Sequence, residues 1–456
     1  EAAGPSDLPF VALPDSEAIE YEADADQAVV LGDCEHKGTS AVSDAIKNLV
    51  NSIVGAGIVG LPYVFAAAGF VTGLVLTAIA WFLVEYSLRL LVRTGMRYGA
   101  RNYEDLMGLA FGPVGVTLVS MALFVFEFGA MCTYFIILGD SSEMVAVSLF
   151  KLAPDSALVT SWTLRRCCII GFGFCFSLPL CCFRDISSLE RSSGLSVAAV
   201  FVISLLVVGK FAQLAMEPTF EIQPRLTVVG PAPFKSFSII CFAFVCHDTA
   251  YLIFNTLREP TSEAWDATAR YGLMAAVGIC MLLAIPGYLT FGADTQSNIL
   301  TNYPVDDPLV IACRCIYIVV MTLVYPMSFF VCRHIVNAVL WRGDSHQAIQ
   351  VVSPARFYGL TAAIFVSTVG VTLVVRDLGV VMSLTGSLGA VNLAFVFPPA
   401  CALKLAHGSW QRAFASPKSV LEAKIKLKQV VCPVLVMIFG VCAMVSSVYE
   451  TVFVVE

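Results

Sequence analysis

An apolar stretch interrupted by glycines, residues 48–69, restricts the possible folds of this chain more than any other segment. It is long enough to cross a bilayer, which takes about 20 apolar residues in a helix. Gly55, Gly57 and Gly60 fall inside it, and glycine is a poor helix former. Unwound backbone at membrane depth is tolerated only where protein or a wet cavity surrounds it. The stretch therefore predicts a broken membrane helix beside an internal site.

The polar pair Asn51 and Ser52 lies one turn before these glycines. A broken first span with polar neighbours is typical of the substrate and ion site of a secondary transporter. Two other interpretations exist. The glycines match the G-x-G-x-x-G dinucleotide fingerprint, but that motif needs a preceding strand in a soluble βαβ unit. They would also allow close packing of two membrane helices, which does not exclude transport.

Composition indicates a polytopic membrane protein. Of the 456 residues, 58% are hydrophobic and 13% are charged, against about 25% charged in soluble domains, and the mean hydropathy is +0.82. Residues 1–36 carry many acidic residues and no Lys or Arg, so residues 1–40 are predicted to form a disordered cytosolic tail. The membrane domain is predicted over residues 41–456. The 16 cysteines include no C-x-x-C pair, so no zinc site is predicted and nothing indicates a disulfide.

Apolar stretches of about 20 residues predict eleven spans, at 44–70, 73–94, 113–139, 164–183, 189–209, 234–256, 269–291, 309–332, 355–376, 378–402 and 430–449. An odd number places the two termini on opposite sides. A cytosolic N-terminus puts 19 of the 27 Lys and Arg on the inner side and eight on the other, as the positive-inside rule favours. The pair Arg165 and Arg166 falls on the outer side, against that rule.

Ionisable residues inside predicted spans are costly and by default functional. Glu127 lies mid-span in FVFEFGAMCTYF and is a candidate proton carrier, the alternative being a paired structural carboxylate. Glu85 lies four residues before Arg89, so an i,i+4 ion pair is the better account. His247 and Asp248 lie in the sixth span, where an inverted repeat would place a second broken helix. No glycine or proline marks a break there.

Thr322 in the eighth span stands four residues before Pro326. A hydroxyl together with carbonyls freed by a proline would suit a small hard cation, whereas a threonine bonded to its own helix is the alternative. The sequence lacks H-E-x-x-H and Walker A motifs. We therefore predict that the chain is no enzyme and holds no cofactor, and that an ion or substrate gradient drives any flux.

Five motifs stand in order along the chain: NSIVGAGIVGLPYVFAAAG at 51–69, YFIILGD at 134–140, FAFVCHDTAYLIFNTLREPT at 242–261, GYLTFG at 287–292 and TLVYPMSFFVCR at 322–333. Together they resemble the sodium-coupled neutral amino acid transporter family, within the amino acid/auxin permease group. The resemblance implies an all-α integral membrane protein with a LeuT-type fold. In that fold two inverted five-helix repeats, with helices one and six broken, are followed by an eleventh helix.

The resemblance also implies a site at the membrane midplane. Asn51 and Thr322 match the cation positions of the family, with Val54 supplying a further carbonyl, and the substrate carboxylate would meet amides at the positive end of a half-helix. The residues implied in substrate binding are Ser52, Gly55, Ala56, Gly57, Phe242, Phe244, Cys246 and His247. Glu127 is a departure, because a carboxylate is not expected there, and it leaves both sodium and proton coupling open.

The leading interpretation is secondary active transport of a neutral L-amino acid by alternating access. The alternative is an amino-acid-sensing receptor with little flux, whose acidic tail docks a cytosolic partner. The predicted partners are the amino acid and the lipid bilayer, with no nucleic acid. The membrane is predicted to be the plasma membrane or a vacuolar or lysosomal one; the chain has no N-x-[ST] sequon for an outer glycan.

Overall fold

The computed structural model describes residues 38–153, 156–183, 193–222, 225–341, 353–415 and 420–454. Regular structure in these ranges is helical, apart from one backbone bridge between Ser40 and Leu257. The α-helices are α1 (Val42–Ile53), α2 (Leu61–Ala68), α3 (Phe70–Tyr98), α4 (Tyr103–Phe150), α5 (Ala157–Thr160), α6 (Thr163–Phe172), α7 (Leu178–Cys181), α8 (Ser193–Ala215), α9 (Pro233–Phe244), α10 (Ala250–Thr256), α11 (Ser262–Phe291), α12 (Pro308–Leu340), α13 (Pro354–Val374), α14 (Leu378–Thr385), α15 (Phe397–Ala415) and α16 (Val420–Tyr449).

Nine helical segments within the described ranges are long and apolar enough to cross a membrane. Two further segments, Val42–Ile53 and Gly57–Ala68, meet this criterion together but are bent by 54°. α9 is apolar but shorter, and α10 follows it after an irregular stretch. Each predicted span overlaps one of these elements or a pair of them, and residues 189–192 of the fifth predicted span lie outside the described residues. The count of eleven crossings and the inverted relation of the two halves stay predictions.

α4 contains a break that sets the start of its membrane part. Gly112 has φ 63° and ψ −151°, outside the helical region. The next residue is Pro113, and a proline disfavours helical geometry at the residue before it. Glycine takes a positive φ without a side-chain clash. The continuous apolar part of α4 therefore begins at Pro113, where the sequence predicted the third span.

α9 lies at the centre of the packed helices. Its residues from Lys235 to Phe244 are all buried, and it packs against α2, α3, α14 and α16. The most extensive packing joins α4 to α12, where the rings of Phe135 and Tyr325 lie 4.3 Å apart between centroids. The residues after α9 are thus held among other helices and away from lipid.

Arg165, one of the two arginines that violate the positive-inside rule, is buried inside the protein. Its Nε donates to the Asp140 carboxylate at 2.7 Å, and its Nη1 donates to the Thr372 carbonyl at 3.3 Å. Asn298 donates to the other carboxylate oxygen at 3.3 Å. This network joins α4, α6 and α13. Arg165 therefore holds helices together inside the protein and should not be counted when the positive-inside rule is applied.

Residues 1–37, and with them nearly all of the predicted acidic tail, lie outside the described residues. Ser40 is already held by the end of α10. Its N–H donates to the Thr256 carbonyl and its carbonyl accepts from the Arg258 N–H, both at 2.9 Å. Ser40, one residue before the predicted start of the membrane domain, is thus joined to α10; the boundary itself stays a prediction.

Candidate functional site

The first predicted break lies directly after α1. The chain leaves helical geometry at Val54 and Gly55 and resumes in a 3-10 segment, Ala56–Gly60, that leads into α2. The last carbonyls of a helix and the first amides of the next lack intrahelical partners. A negative and a positive helix end therefore both border this break. Such ends are suited to a cation and to a carboxylate, respectively.

The second break separates α9 from α10 at residues 245–249. Side chains supply hydrogen bonds there in place of the helical ones. The Thr249 hydroxyl donates to the Cys246 carbonyl at 3.1 Å, and the Asp248 carboxylate accepts from the backbone of Thr249. Local bonds of this kind compete with helix formation. They explain how the sixth span breaks without a glycine or a proline.

The first break packs directly against the end of α9, just before the second break. A Cβ on Gly57 would lie 3.1 Å from both Cα and Cβ of Ala243 and 3.5 Å from the Phe242 ring. On the other side of α9, a Cβ on Gly386 would lie 1.9 Å from the Ser238 carbonyl oxygen. A side chain at Gly386 would overlap backbone, so glycine is required there, whereas a side chain at Gly57 would be tight against Ala243. The close approach places the first break beside the last turn of α9.

The predicted substrate residues of the sixth span are buried where this turn ends. Phe244 and His247 have no exposed surface, and Cys246 and Phe242 have 1% and 7%. The Phe242 ring lies 5.8 Å from that of Phe126 on α4. His247 Nε2 lies 3.1 Å from the Ser87 hydroxyl on α3. The Phe242 ring also contacts the first break at Gly57.

Ser52 and Thr322 both bond to their own helices. Ser52 is exposed and donates to the Leu49 carbonyl at 2.9 Å, and Thr322 donates to the Ile318 carbonyl at 2.8 Å. Thr322 is therefore bonded to its own helix, which was the alternative to a cation ligand. A hydroxyl that donates a hydrogen bond can still accept another one or coordinate a cation through its oxygen. The Oδ1 of Asn51 is buried without a hydrogen-bond partner.

Glu127 is buried on α4 among polar groups from other elements. Ser328 of α12 and the Asp248 carboxylate of the second break both lie close enough to act on it electrostatically. Tyr134, two turns further along the same face of α4, also lies near Ser328. The sequence predicted Glu127 and Asp248 as ionisable residues in two different spans, without indicating that they lie together, and did not point to Ser328. The one signal for Ser328 is its position two residues after Pro326.

A family model described as "Transmembrane amino acid transporter protein" matches residues 38–453. The chain belongs to this family. As a family member it is a membrane transporter protein and no enzyme, which agrees with the motifs of the sequence.

Curated relatives of this family member bear related names. One is "Putative sodium-coupled neutral amino acid transporter 11" of Danio rerio, 33% identical over 407 residues that cover 89% of this chain and 87% of the relative. Another is "Sodium-coupled neutral amino acid transporter 7" of Rattus norvegicus, 28% identical with 80% of each chain covered. Both confirm the family resemblance of the five motifs.

Among solved structures, the chain resembles MhsT in complex with L-phenylalanine, with a TM-score of 0.52 and 14% identity, covering 89% of this chain and 99% of that one. An identity this low shows the fold alone. The fold is of the LeuT type, as the resemblance implied.

Proposed function

We propose that this chain carries neutral L-amino acids across a membrane by secondary active transport with alternating access. The observation that carries the proposal is the close approach of the first break, at Gly57, to Ala243 in the last turn of α9, just before the second break. Two discontinuous helices that meet inside the bundle offer amides, carbonyls and side chains at membrane depth without leaving them in lipid. The family and the names of its sodium-coupled relatives support amino acids as the substrate class.

The proposed substrate site lies at the first break, with backbone amides of Ala56 and Gly57 facing the substrate carboxylate. Gly55 belongs to the same proposed site, but its N–H donates to the Ile53 carbonyl at 2.9 Å and would have to leave that bond to reach the substrate. Phe242 forms the apolar wall beside it, because its ring lies 3.5 Å from the Cβ position of Gly57. Phe244, Cys246 and His247 stand behind that wall and belong to the proposed site as supporting residues. A neutral apolar or small polar side chain fits such a wall better than a charged one, since an unpaired charge would be buried there.

The proposed cation site uses the unpartnered Oδ1 of Asn51, the carbonyl of Val54 and the hydroxyl of Thr322. A buried amide oxygen without a partner is an unsatisfied acceptor, and a sodium ion would satisfy it. Glu127 is the competing coupling group, and it would carry a proton instead. Its neighbours Ser328 and Asp248 would hold that proton within the bundle.

Uptake of a radiolabelled neutral amino acid into proteoliposomes tests both parts of the proposal. A sodium gradient and a pH gradient are imposed separately on the wild type. With sodium coupling, Asn51→Ala and Thr322→Ala should raise the half-saturating sodium concentration by on the order of tenfold or more, since contacts to a charged group contribute about 1.5–3 kcal/mol. With proton coupling, Glu127→Gln should abolish accumulation driven by the pH gradient.

Ser367→Ala is the matched control, because this exposed serine makes the same kind of bond to its own helix, to the Ala363 carbonyl at 2.7 Å. It should leave uptake unchanged. Wild-type activation by sodium or protons in either Asn51→Ala or Thr322→Ala would refute the cation site. Binding of amino acid without flux under either gradient would refute transport and favour the receptor alternative, in which deletion of residues 1–36 abolishes signalling.

We further propose that the N-terminus is cytosolic and the C-terminus lies on the opposite side, in a plasma, vacuolar or lysosomal membrane. The predicted inner side carries 19 of the 27 basic residues. Removing Arg165 from the outer count strengthens this bias, because that arginine is buried in an ion pair. Cysteine labelling of exposed loops with a membrane-impermeant reagent would test the orientation.

A further inference from the structure

We propose that a groove between α3 and α11 binds one anionic glycerophospholipid of the cytosolic leaflet. The groove has a volume of about 600 Å³ and is lined by charged residues at one end and by aromatic and apolar residues at the other. It lies on the outside of the helix bundle and is separate from the two helix breaks. Lining residues of both helices take part in the argument: Trp81, Phe82, Glu85, Arg93, Arg270 and Met274.

The groove changes from apolar to basic along one face of α3. Trp81, Glu85, Arg89 and Arg93 follow one another at intervals of four residues, so they lie along one side of the helix. The distance from the first to the last is about 18 Å at 1.5 Å per residue. This length is slightly more than one leaflet of hydrocarbon, which is about half of a 30 Å core. A lipid lying along this face would meet the arginine with its headgroup and the tryptophan with its chains.

The charge that the groove presents is positive. The side chains of Arg93 and Arg270 are 55% and 58% exposed, whereas their acidic partners Asp266 and Glu85 are 24% and 13% exposed. The acids therefore lie beneath the guanidinium groups. A guanidinium has five N–H donors, so it can hold a carboxylate on one side and a phosphate on the other. Arg93 and Arg270 come from different helices and would grip one headgroup from two sides.

The deeper end of the groove is suited to acyl chains. The rings of Trp81 and Phe82 are stacked with centroids 5.2 Å apart, and Phe82 and Met274 are 63% and 49% exposed on the apolar surface. The indole Nε1 of Trp81 is buried, so the ring would meet acyl chains through its apolar surface.

The positive charge of the groove and its position on the cytosolic side both favour an anionic phospholipid as the occupant. The arginines lie toward the Tyr98 end of α3, which the topology proposed above places on the cytosolic side. Anionic lipids are concentrated in the cytosolic leaflet, and basic pockets between helices on that side bind their headgroups. The inference rests on that topology but not on the substrate or the coupling ion. Its test therefore needs no transport activity.

Quenching of Trp81 fluorescence in lipid nanodiscs measures the proposed binding. Phospholipids with brominated chains and either a serine or a choline headgroup are titrated into discs of unlabelled phosphatidylcholine. The Trp81 signal is the difference between the wild type and Trp81→Phe. Each basic group near the surface contributes about 1 kcal/mol to binding of an anionic lipid, a factor of about five. The serine lipid should therefore quench at a mole fraction about 25-fold lower than the choline lipid.

Charge-removing variants distinguish the groove from general attraction to a basic surface. Arg93→Gln should reduce the preference about fivefold, and the pair Arg93→Gln with Arg270→Gln should abolish it. Arg93→Lys keeps the charge and should retain most of the preference. Arg258→Gln is the matched control, since Arg258 is exposed on the same predicted side but does not line the groove. It should leave the preference unchanged.

Two results would overturn the proposal. One is equal quenching of wild-type Trp81 by the two headgroups, which would show only the ordinary lipid boundary. The other is an unchanged preference in a folded Arg93→Gln variant, confirmed by its thermal unfolding. Because both arginine side chains are more than half exposed, these variants are expected to fold.

Discussion

Replacement of Arg165 by methionine is predicted to destabilise the protein by about 3–5 kcal/mol, the usual cost of breaking a buried ion pair from one side. The Arg165 side chain is 2% exposed and its partner Asp140 is 16% exposed. Methionine removes the donor at 2.7 Å and leaves the carboxylate with Asn298 at 3.3 Å as its side-chain donor in the described network. A single weak neutral donor does not compensate a buried charge.

The same reasoning predicts that the combined change Asp140→Asn and Arg165→Met is milder than Arg165→Met alone. A buried pair replaced by neutral groups of similar size is often near neutral in stability. The Nη2 of Arg165 has no hydrogen-bond partner, so the guanidinium is not fully compensated in the wild type. We expect the combined variant to recover at least half of the loss.

Equilibrium unfolding in mixed micelles titrated with SDS, followed by near-ultraviolet circular dichroism, gives these free energies of unfolding. Arg166→Met is the control, because the neighbouring arginine is exposed and surface changes stay within about 0.5 kcal/mol. The burial argument fails if Arg165→Met has the same free energy of unfolding as the wild type. It also fails if the combined variant loses as much stability as Asp140→Asn and Arg165→Met lose when each is made alone.

Two further predictions concern a backbone conformation and a pH dependence. Gly112→Ala should cost about 1–3 kcal/mol through its positive φ alone, since a Cβ there would meet nothing within 4 Å. Gly171→Ala is equally open but lies in ordinary helix, so it should instead stabilise by up to about 1 kcal/mol in the same unfolding assay. The hydrogen bond from Lys210 holds the pKa of Asp307 below its usual value, so the stabilising link persists at pH 5 and is lost only as the pH falls below about 4. Asp307→Asn should therefore lower the thermal unfolding temperature equally at pH 7.5 and pH 5, and a difference that disappears at pH 5 would contradict this.

Much of the fold was predictable because its determinants are local. The glycines at 55, 57 and 60 predicted a break that the structure places directly after α1. The spacing of Glu85 and Arg89 predicted an ion pair within one helix, and the two side chains form that pair. Hydropathy located the spans because burial in lipid depends on stretches of about 20 residues.

The break in the sixth span could not be predicted from local sequence signals. Its polar run predicted a second break by position in the repeat, but glycine and proline signals were absent. The break at residues 245–249 depends on hydrogen bonds of Asp248 and Thr249 to nearby backbone. Such bonds are optional for these residue types, since the same side chains are also found within helices. Composition alone therefore could not decide between a bent and a straight helix.

By itself, the sequence determined the family, the membrane segments and the broken first span, because helix propensity and hydropathy are properties of short segments. Only the tertiary structure decided that Gly57 meets Ala243, that Ser328 lies beside Glu127, and that the arginines of α3 and α11 face one groove. These pairs are far apart in the chain, and their distances depend on how whole helices pack. Packing follows from side-chain shape across every interface at once, which no local pattern records.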